Sequence, residues 1–363
     1  MLISLKSPGT YIQEKDIIKN LYPYISLYGS NAVFLISPSG IKRHKTDILS
    51  GLPSDKFSSS FYEIHGECSR LQIDNIISRL SDNIPDMIIG VGGGKILDIT
   101  KAVSDSINTP CIVIPTVAST DAPCSALSVL YTSEGIFDKY LHTKKCPDAV
   151  IVDPRVIADA PYKYLAYGMG DALATYFEAR AVKRSGSVNQ LSTMPTSAAF
   201  ALAKGCYETL LEYGQNAYES AKKHEVSLAL EKITEANIYL SGVGFESGGV
   251  AAAHGFQKGV TVIPSLHSHA HGEIVAFNTI VQLCLEHAPD SELKTVIRFC
   301  KSIDLPTCFL ELSDIPISKA DWLAAAEFAC RPGMTVHKMP FEVTPEMLVN
   351  AVYAADEYSR SLV

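Results

Sequence analysis

The apolar run Met87-Ile88-Ile89-Gly90-Val91 passes directly into Gly92-Gly93-Gly94-Lys95-Ile96-Leu97-Asp98. Few folds accept that succession. A strand-length apolar run, a stop at three glycines and helical spacing through Ile99, Ala102 and Val103 predict strand, tight turn, then a helix from Lys95. Glycines remove the Cβ atoms that would hold a ligand off, and free N–H groups at a helix start attract an anion. Gly92, Gly93, Gly94 and Lys95 therefore read as a pyrophosphate cradle, in preference to a plain tight turn. The pattern matches neither G-x-G-x-x-G nor the nucleoside-triphosphatase loop.

The surrounding segments agree with an α/β sheet. Ala32–Ile36, Phe61–Ile64, Met87–Val91, Cys111–Ile114 and Ala149–Val152 are strand candidates, and Glu67 to Leu80 carries helical spacing. Alternation of this kind argues for a parallel sheet covered by helices. Ser125–Tyr131, the turn Ser133-Glu134-Gly135 and Ile136–Leu141 read as a β-hairpin. Beyond Pro154 the pattern becomes helical over Tyr162–Val182, Thr196–Tyr213, Glu225–Leu240, Glu273–Glu286 and Pro345–Ser359. The length of 363 residues suggests two domains. The expected division is an α/β domain over 1–155 and a helical domain over 156–363.

Composition narrows the function. A net charge of −8 without a Lys/Arg-rich run disfavours nucleic acid and acidic membranes as partners. No apolar run approaches the ~18 residues of a membrane span, and the N-terminus lacks a signal-peptide pattern. Nine scattered cysteines without a C-x-x-C pair read as reduced, mostly buried thiols of a cytoplasmic protein.

Two groups of polar residues suggest chemistry. Asp171 lies inside the small, apolar stretch Gly168–Ala174, where a carboxylate is costly unless a cation satisfies it. His254 follows three alanines, and His267, His269 and His271 are crowded together downstream. Imidazole and carboxylate form a zinc-type ligand set, so Asp171, His254 and His271 are candidate ligands, with His267 and His269 beside them. The same histidines also suit structural hydrogen bonds or a polar loop. In Pro115–Pro123, beyond the strand ending at Ile114, Thr116, Ser119 and Thr120 offer hydroxyls to phosphate or ribose. Asp121 suits either a polyhydroxy substrate or a helix cap near Ala122.

From Ser7-Pro8-Gly9-Thr10-Tyr11 through Ala118–Val129 and Gly242–Gly249 to Ala351–Tyr358, the chain resembles the glycerol dehydrogenases of the iron-containing, or group III metal-dependent, alcohol dehydrogenase superfamily. The resemblance implies a dinucleotide-binding α/β domain, an all-helical domain and an active site in the cleft between them. It implies zinc, or iron, on Asp171, His254 and His271. It places Gly94, Lys95, Asp98, Thr116, Ser119, Ser125, Leu127 and Tyr131 around NAD. Asp121 matches a glycerol-contacting residue, Phe245 a wall of the substrate pocket, and His267 is a candidate for carrying the proton outward. The implied reaction is reversible oxidation of glycerol to dihydroxyacetone, in a homo-oligomer that is commonly an octamer. Ser37 stands where the family usually has an Asp at the adenosine ribose, with Lys42 and Arg43 nearby, which opens NADP as a second cofactor. Other vicinal diols on the same scaffold, a dehydroquinate synthase-type lyase and a non-catalytic nucleotide-binding protein are the competing readings. The lyase would need a Lys/Arg cluster at the phosphate, which the segments around His254 and His271 do not supply.

Overall fold

In sequence order the strands are β1 (Tyr11–Gln13), β2 (Asn31–Ile36), β3 (Ser58–Glu63), β4 (Met87–Gly92), β5 (Cys111–Pro115), β6 (Leu127–Tyr131), β7 (Phe137–His142) and β8 (Ala149–Val152). The computed structural model describes residues 2–133 and 135–362. Glu134, in the expected hairpin turn, lies outside the described residues. The chain divides into two compact units. One comprises Lys6–Pro161 with Lys223–Val226. The other comprises the segment ending at Leu5, Tyr162–Lys222 and the chain from Ser227 onward.

In the first unit six strands form a parallel sheet in the order β1-β8-β5-β4-β2-β3, and β6 pairs antiparallel with β7. Strands β4, β5 and β8 are buried along their whole length. Parallel strands covered on both faces need such uninterrupted apolar runs. Side chains alternate between the faces: Phe34, Ile36, Ile89 and Val91 enter one core, Val33, Leu35 and Ile88 the other. Each fully buried aliphatic side chain contributes about 1.5–3 kcal/mol.

The helices of this unit are α1 (Pro38–Ser50), α2 (Arg70–Leu80) and α3 (Gly94–Ile107), numbering only the longer ones. Ser37-Pro38 ends the expected strand and also begins α1, with the Ser37 hydroxyl accepting from the Gly40 N–H at 3.1 Å. Serine at the cap followed by proline is a strong helix start. The chain leaves β2 toward β3 on one side and β4 toward β5 on the other. The carboxyl ends of β2 and β4 therefore flank the reversal point, where open α/β sheets bind ligands.

The second unit carries α4 (Lys163–Ser185), α5 (Ser197–Lys222), α6 (Leu228–Glu235), α7 (Ser241–Gly248), α8 (Ala252–Val260), α9 (His271–Leu285), α10 (Asp290–Ser302), α11 (Lys319–Ala329) and α12 (Pro345–Ser361). A π turn at Ala236–Leu240 joins α6 to α7, so the segment expected to end at Leu240 runs on to Gly248. Helix α9 begins two residues before the expected Glu273 because the Glu273 carboxylate accepts the Ala270 N–H at 2.8 Å and fixes the first turn. All nine cysteines are free, and all but Cys284 and Cys330 are buried. Burial pushes the thiols of Cys68, Cys111 and Cys300 up to about 12, so they are inert core filler. Among the described residues no helix is long and apolar enough to cross a membrane.

Candidate metal and cofactor sites

Helices α4 and α9 meet without side chains between them. A Cβ on Gly170 would lie 2.3 Å from the Gly272 carbonyl oxygen, and a Cβ on Gly272 would lie 1.8 Å from the Tyr167 carbonyl oxygen. Only glycine permits that approach. The residues next to these glycines are Asp171 and His271, so the crossing sets their separation: His271 Nε2 is 3.3 Å from Asp171 Oδ1. His254, on α8, brings its Nε2 to 3.1 Å from the same oxygen. The three ligand atoms lie within 4.8 Å of one another. A tetrahedral shell with metal–ligand distances of about 2.0–2.1 Å has edges of roughly 3.3 Å. The two imidazoles and one carboxylate thus fit a zinc-type ion in donor chemistry, and the two edges at Asp171 Oδ1, 3.1 and 3.3 Å, fit its spacing.

The electrostatics agree. Burial alone would raise the Asp171 pKa, but the His271 and His254 imidazoles outweigh it and hold the carboxyl well below its ordinary range. Burial would lower the His254 pKa, yet Glu178 and Asp171 on either side of the ring raise it well above the ordinary histidine value. Excess negative charge at the ring is what a cation would neutralise.

Other histidines of the cluster are committed elsewhere. His267 is exposed, and its Nε2 bonds the Thr261 carbonyl at 2.7 Å. His269 bonds the Leu312 carbonyl through Nε2 and faces Glu273 at 3.4 Å through Nδ1. Its reading as a residue beside the metal or facing substrate gives way to a loop-anchoring one, because both ring nitrogens are occupied. Phe245 is buried on α7.

In the α/β unit the three glycines separate by cause. A Cβ on Gly92 would strike Ile96 at 2.7 Å, so packing demands that glycine. A Cβ on Gly93 would meet Val117 at 3.4 Å, and one on Gly94 only Thr120 and Ala122 at 3.8 and 3.9 Å. Neither has a positive φ. Nothing inside the protein requires glycine at Gly94, so the space its missing Cβ leaves is free for a ligand above the α3 N-terminus. We expect Gly94→Ala to fold with unchanged thermal stability. Its NAD affinity should fall roughly ten- to hundredfold, the value of one hydrogen bond to a charged phosphate (about 1.5–3 kcal/mol). Wild-type affinity in a nucleotide titration would remove Gly94 from the cradle.

The Thr116 N–H donates to the Gly92 carbonyl at 3.0 Å, which ties the loop after β5 to the glycine turn. Thr116, Ser119 and Asp121 on that loop are partly exposed. Asp121 occupies the cap position of the short helix Ala122–Cys124 but makes no side-chain capping bond, against the capping alternative. Lys95 is exposed and pairs with Glu67 at 2.6 Å. Asp98, expected near NAD, is buried: Oδ1 lies 2.9 Å from the Lys101 Nζ, and Oδ2 accepts the Val129 N–H at 3.0 Å. Its carboxylate therefore holds the hairpin onto α3. Ser125 is also buried, while Leu127 and Tyr131 are partly exposed on β6. The Ser37 hydroxyl is engaged as the α1 cap, at the end of β2 beside the glycine turn.

A family model described as iron-containing alcohol dehydrogenase matches residues 8–154. A glycerol dehydrogenase of Escherichia coli O6:H1 is 44% identical, covering 98% of this chain and 97% of that one. The chain belongs to the iron-containing alcohol dehydrogenase family. A glycolaldehyde reductase of Halobacterium salinarum is 38% identical over 98% of this chain and 97% of its own length. The crystal structure of glycerol dehydrogenase from Schizosaccharomyces pombe superposes with a TM-score of 0.95 at 32% identity, covering 99% of this chain and 92% of that one.

As an iron-containing alcohol dehydrogenase, the chain uses two further polar residues that the sequence pattern did not single out. The backbone at the start of α8 has no capping side chain of its own, since its first residues are alanines. Glu178 Oε1 accepts the Ala251 and His254 N–H groups at 2.7 and 2.9 Å. Gln282 Oε1 accepts those of Ala252 and Ala253 at 3.2 and 3.0 Å. All four orphan donors of the helix start are thus satisfied from α4 and α9. The one available signal was a seven-residue spacing from Asp171 to Glu178, two helical turns on one face of α4.

Proposed function

We propose that this protein oxidises glycerol to dihydroxyacetone reversibly, with NAD as hydride acceptor and a divalent ion, zinc first and iron second, on Asp171, His254 and His271. The observation that carries the reading is the convergence of those three side chains in a chain that matches glycerol dehydrogenases end to end. When bound, the ion supplies Lewis acidity toward a substrate hydroxyl, and the nicotinamide supplies the hydride acceptor. Asp171 contributes the charge that lets a buried site hold a cation, and the two imidazoles complete a neutral donor pair. The backbone N–H groups at Gly93 and Gly94 would hold the pyrophosphate. Asp121 accepts a hydrogen bond from a substrate hydroxyl. The outward proton is left to water, because His267 spends its Nε2 on a backbone carbonyl. The likeness to a glycolaldehyde reductase favours one second reading, reduction of a small hydroxycarbonyl on the same residues. The setting we expect is the cytoplasm, in a homo-octamer.

The deciding experiment follows NADH formation with glycerol, using NAD and NADP in parallel, before and after chelation and zinc restoration. Zinc-restorable turnover with NAD supports the whole reading. Nucleotide binding with no metal-dependent turnover on glycerol would sink the substrate and turn attention to hydroxycarbonyls. Asp121→Ala should raise KM for glycerol roughly ten- to hundredfold, as for the loss of a hydrogen bond to a charged group, with KM for NAD little changed. Equal effects on both would argue against substrate contact.

A further inference from the structure

We infer that Glu178 is the positioning residue of the metal site, fixing which nitrogen of His254 faces the ion. The inference rests on the metal-site reading above and adds a residue to it. Glu178 is fully buried on α4, and its two oxygens do different work. Oε1 caps the α8 backbone at Ala251 and His254. Oε2 meets His254 Nδ1 at 2.5 Å, while His254 Nε2 points at Asp171. A carboxylate only accepts, so Nδ1 donates to Glu178 and keeps its proton when a cation takes the place of the proton that Nε2 turns toward Asp171. One side chain therefore sets the entry of the helix, the orientation of the ring and its tautomer.

Glu178→Gln separates these roles. The amide oxygen can still accept the two backbone N–H groups. Its NH₂ group, however, turns a donor toward Nδ1, which forces the ring proton onto Nε2, where it opposes the ion. Zinc affinity, measured on the whole protein by chelator competition, should fall ten- to hundredfold, the usual cost of losing an orienting carboxylate. Thermal stability of the metal-free protein should also fall, because buried His254 loses its anion, so zinc affinity and not stability separates the roles. Gln282→Ala removes the other cap of the same helix without touching the ring. It should lower metal-free stability while keeping zinc affinity within about threefold, far short of the loss expected at Glu178.

Glu178→Asp provides a second route should the glutamine variant fold poorly. It keeps an acceptor-only group, and zinc affinity should follow the order Glu, Asp, Gln. The order Glu, Gln, Asp would mean that only side-chain length at the helix start matters, and would overturn the assignment. Equal zinc affinity in wild type and Glu178→Gln would also overturn it, as would an equal loss in Gln282→Ala. Wild-type protein that binds no zinc would instead sink the metal-site reading itself.

Discussion

Asp171→Asn is expected to lose its metal and at least about a thousandfold in kcat, because Lewis-acid stabilisation is worth several kcal/mol and each 1.36 kcal/mol is tenfold in rate. The change is nearly isosteric. It removes one charge from a fully buried position between His254 and His271, and with it the only anionic donor of the three-residue cluster. An amide oxygen is a poor ligand for a zinc-type ion, and its NH₂ group can only repel one. Nucleotide binding should survive, since the glycine turn and its neighbours belong to the α/β unit. Three measurements check this: metal content, steady-state turnover with added zinc, and an NADH titration. Turnover within tenfold of wild type would remove Asp171 from the chemistry.

Gly272→Ala is the second change with a large expected effect, and it touches no ligand. The new methyl would sit 1.8 Å from the Tyr167 carbonyl oxygen, about half of an ordinary non-bonded separation of roughly 3.5–4.0 Å. Helices α4 and α9 must move apart, and the neighbours of the contact are the carboxylate and imidazole that stand 3.3 Å apart. Overpacking typically costs about 1–3 kcal/mol, so the unfolding midpoint should fall by several degrees. Zinc affinity should fall with it, since a triangle opened by an ångström no longer matches a tetrahedral edge. Gly205→Ala on α5 serves as the control. A Cβ there meets nothing within 4 Å, and the change should be neutral or stabilising by up to about 1 kcal/mol. Wild-type stability and metal binding in Gly272→Ala would show that the crossing is more plastic than its backbone contact implies.

These two positions also mark how far the sequence could be read. Met87 to Gly94 was legible because strand, turn and helix start are all local, and β4 and α3 form within one or two residues of the expected bounds. Asp171 was legible because a carboxylate among alanines announces a cost. Glu178 was not, because its reason lies 76 residues away at His254. The need for glycine at Gly170 and Gly272 is likewise imposed by a partner helix. Helix α8 starts on alanines and has no cap of its own, but α10 and α11 went unnoticed although both carry local signals: apolar residues recur at Leu293, Val296, Ile297 and Cys300, and Ser318 with Asp321 forms a capping box. The three-residue β1 is specified by its partner β8, not by its own pattern. Asp98, placed around NAD by the family resemblance alone, has partners that its own segment does not announce: Lys101 and the Val129 N–H.

The borrowed caps of α8 bear on when the site can exist during synthesis. Residues 252–260 are too few to hold a helix alone in water, and their orphan N–H groups find acceptors only on α4 and α9. A ribosome-bound chain that has not yet emerged through Gln282 cannot complete that helix, and His254 then has no fixed direction. Newly made chains therefore offer scattered histidines, not a preformed trap, to whatever divalent ions the cell contains. On the proposed ligand set, selection among metals would begin only once the three helices have docked.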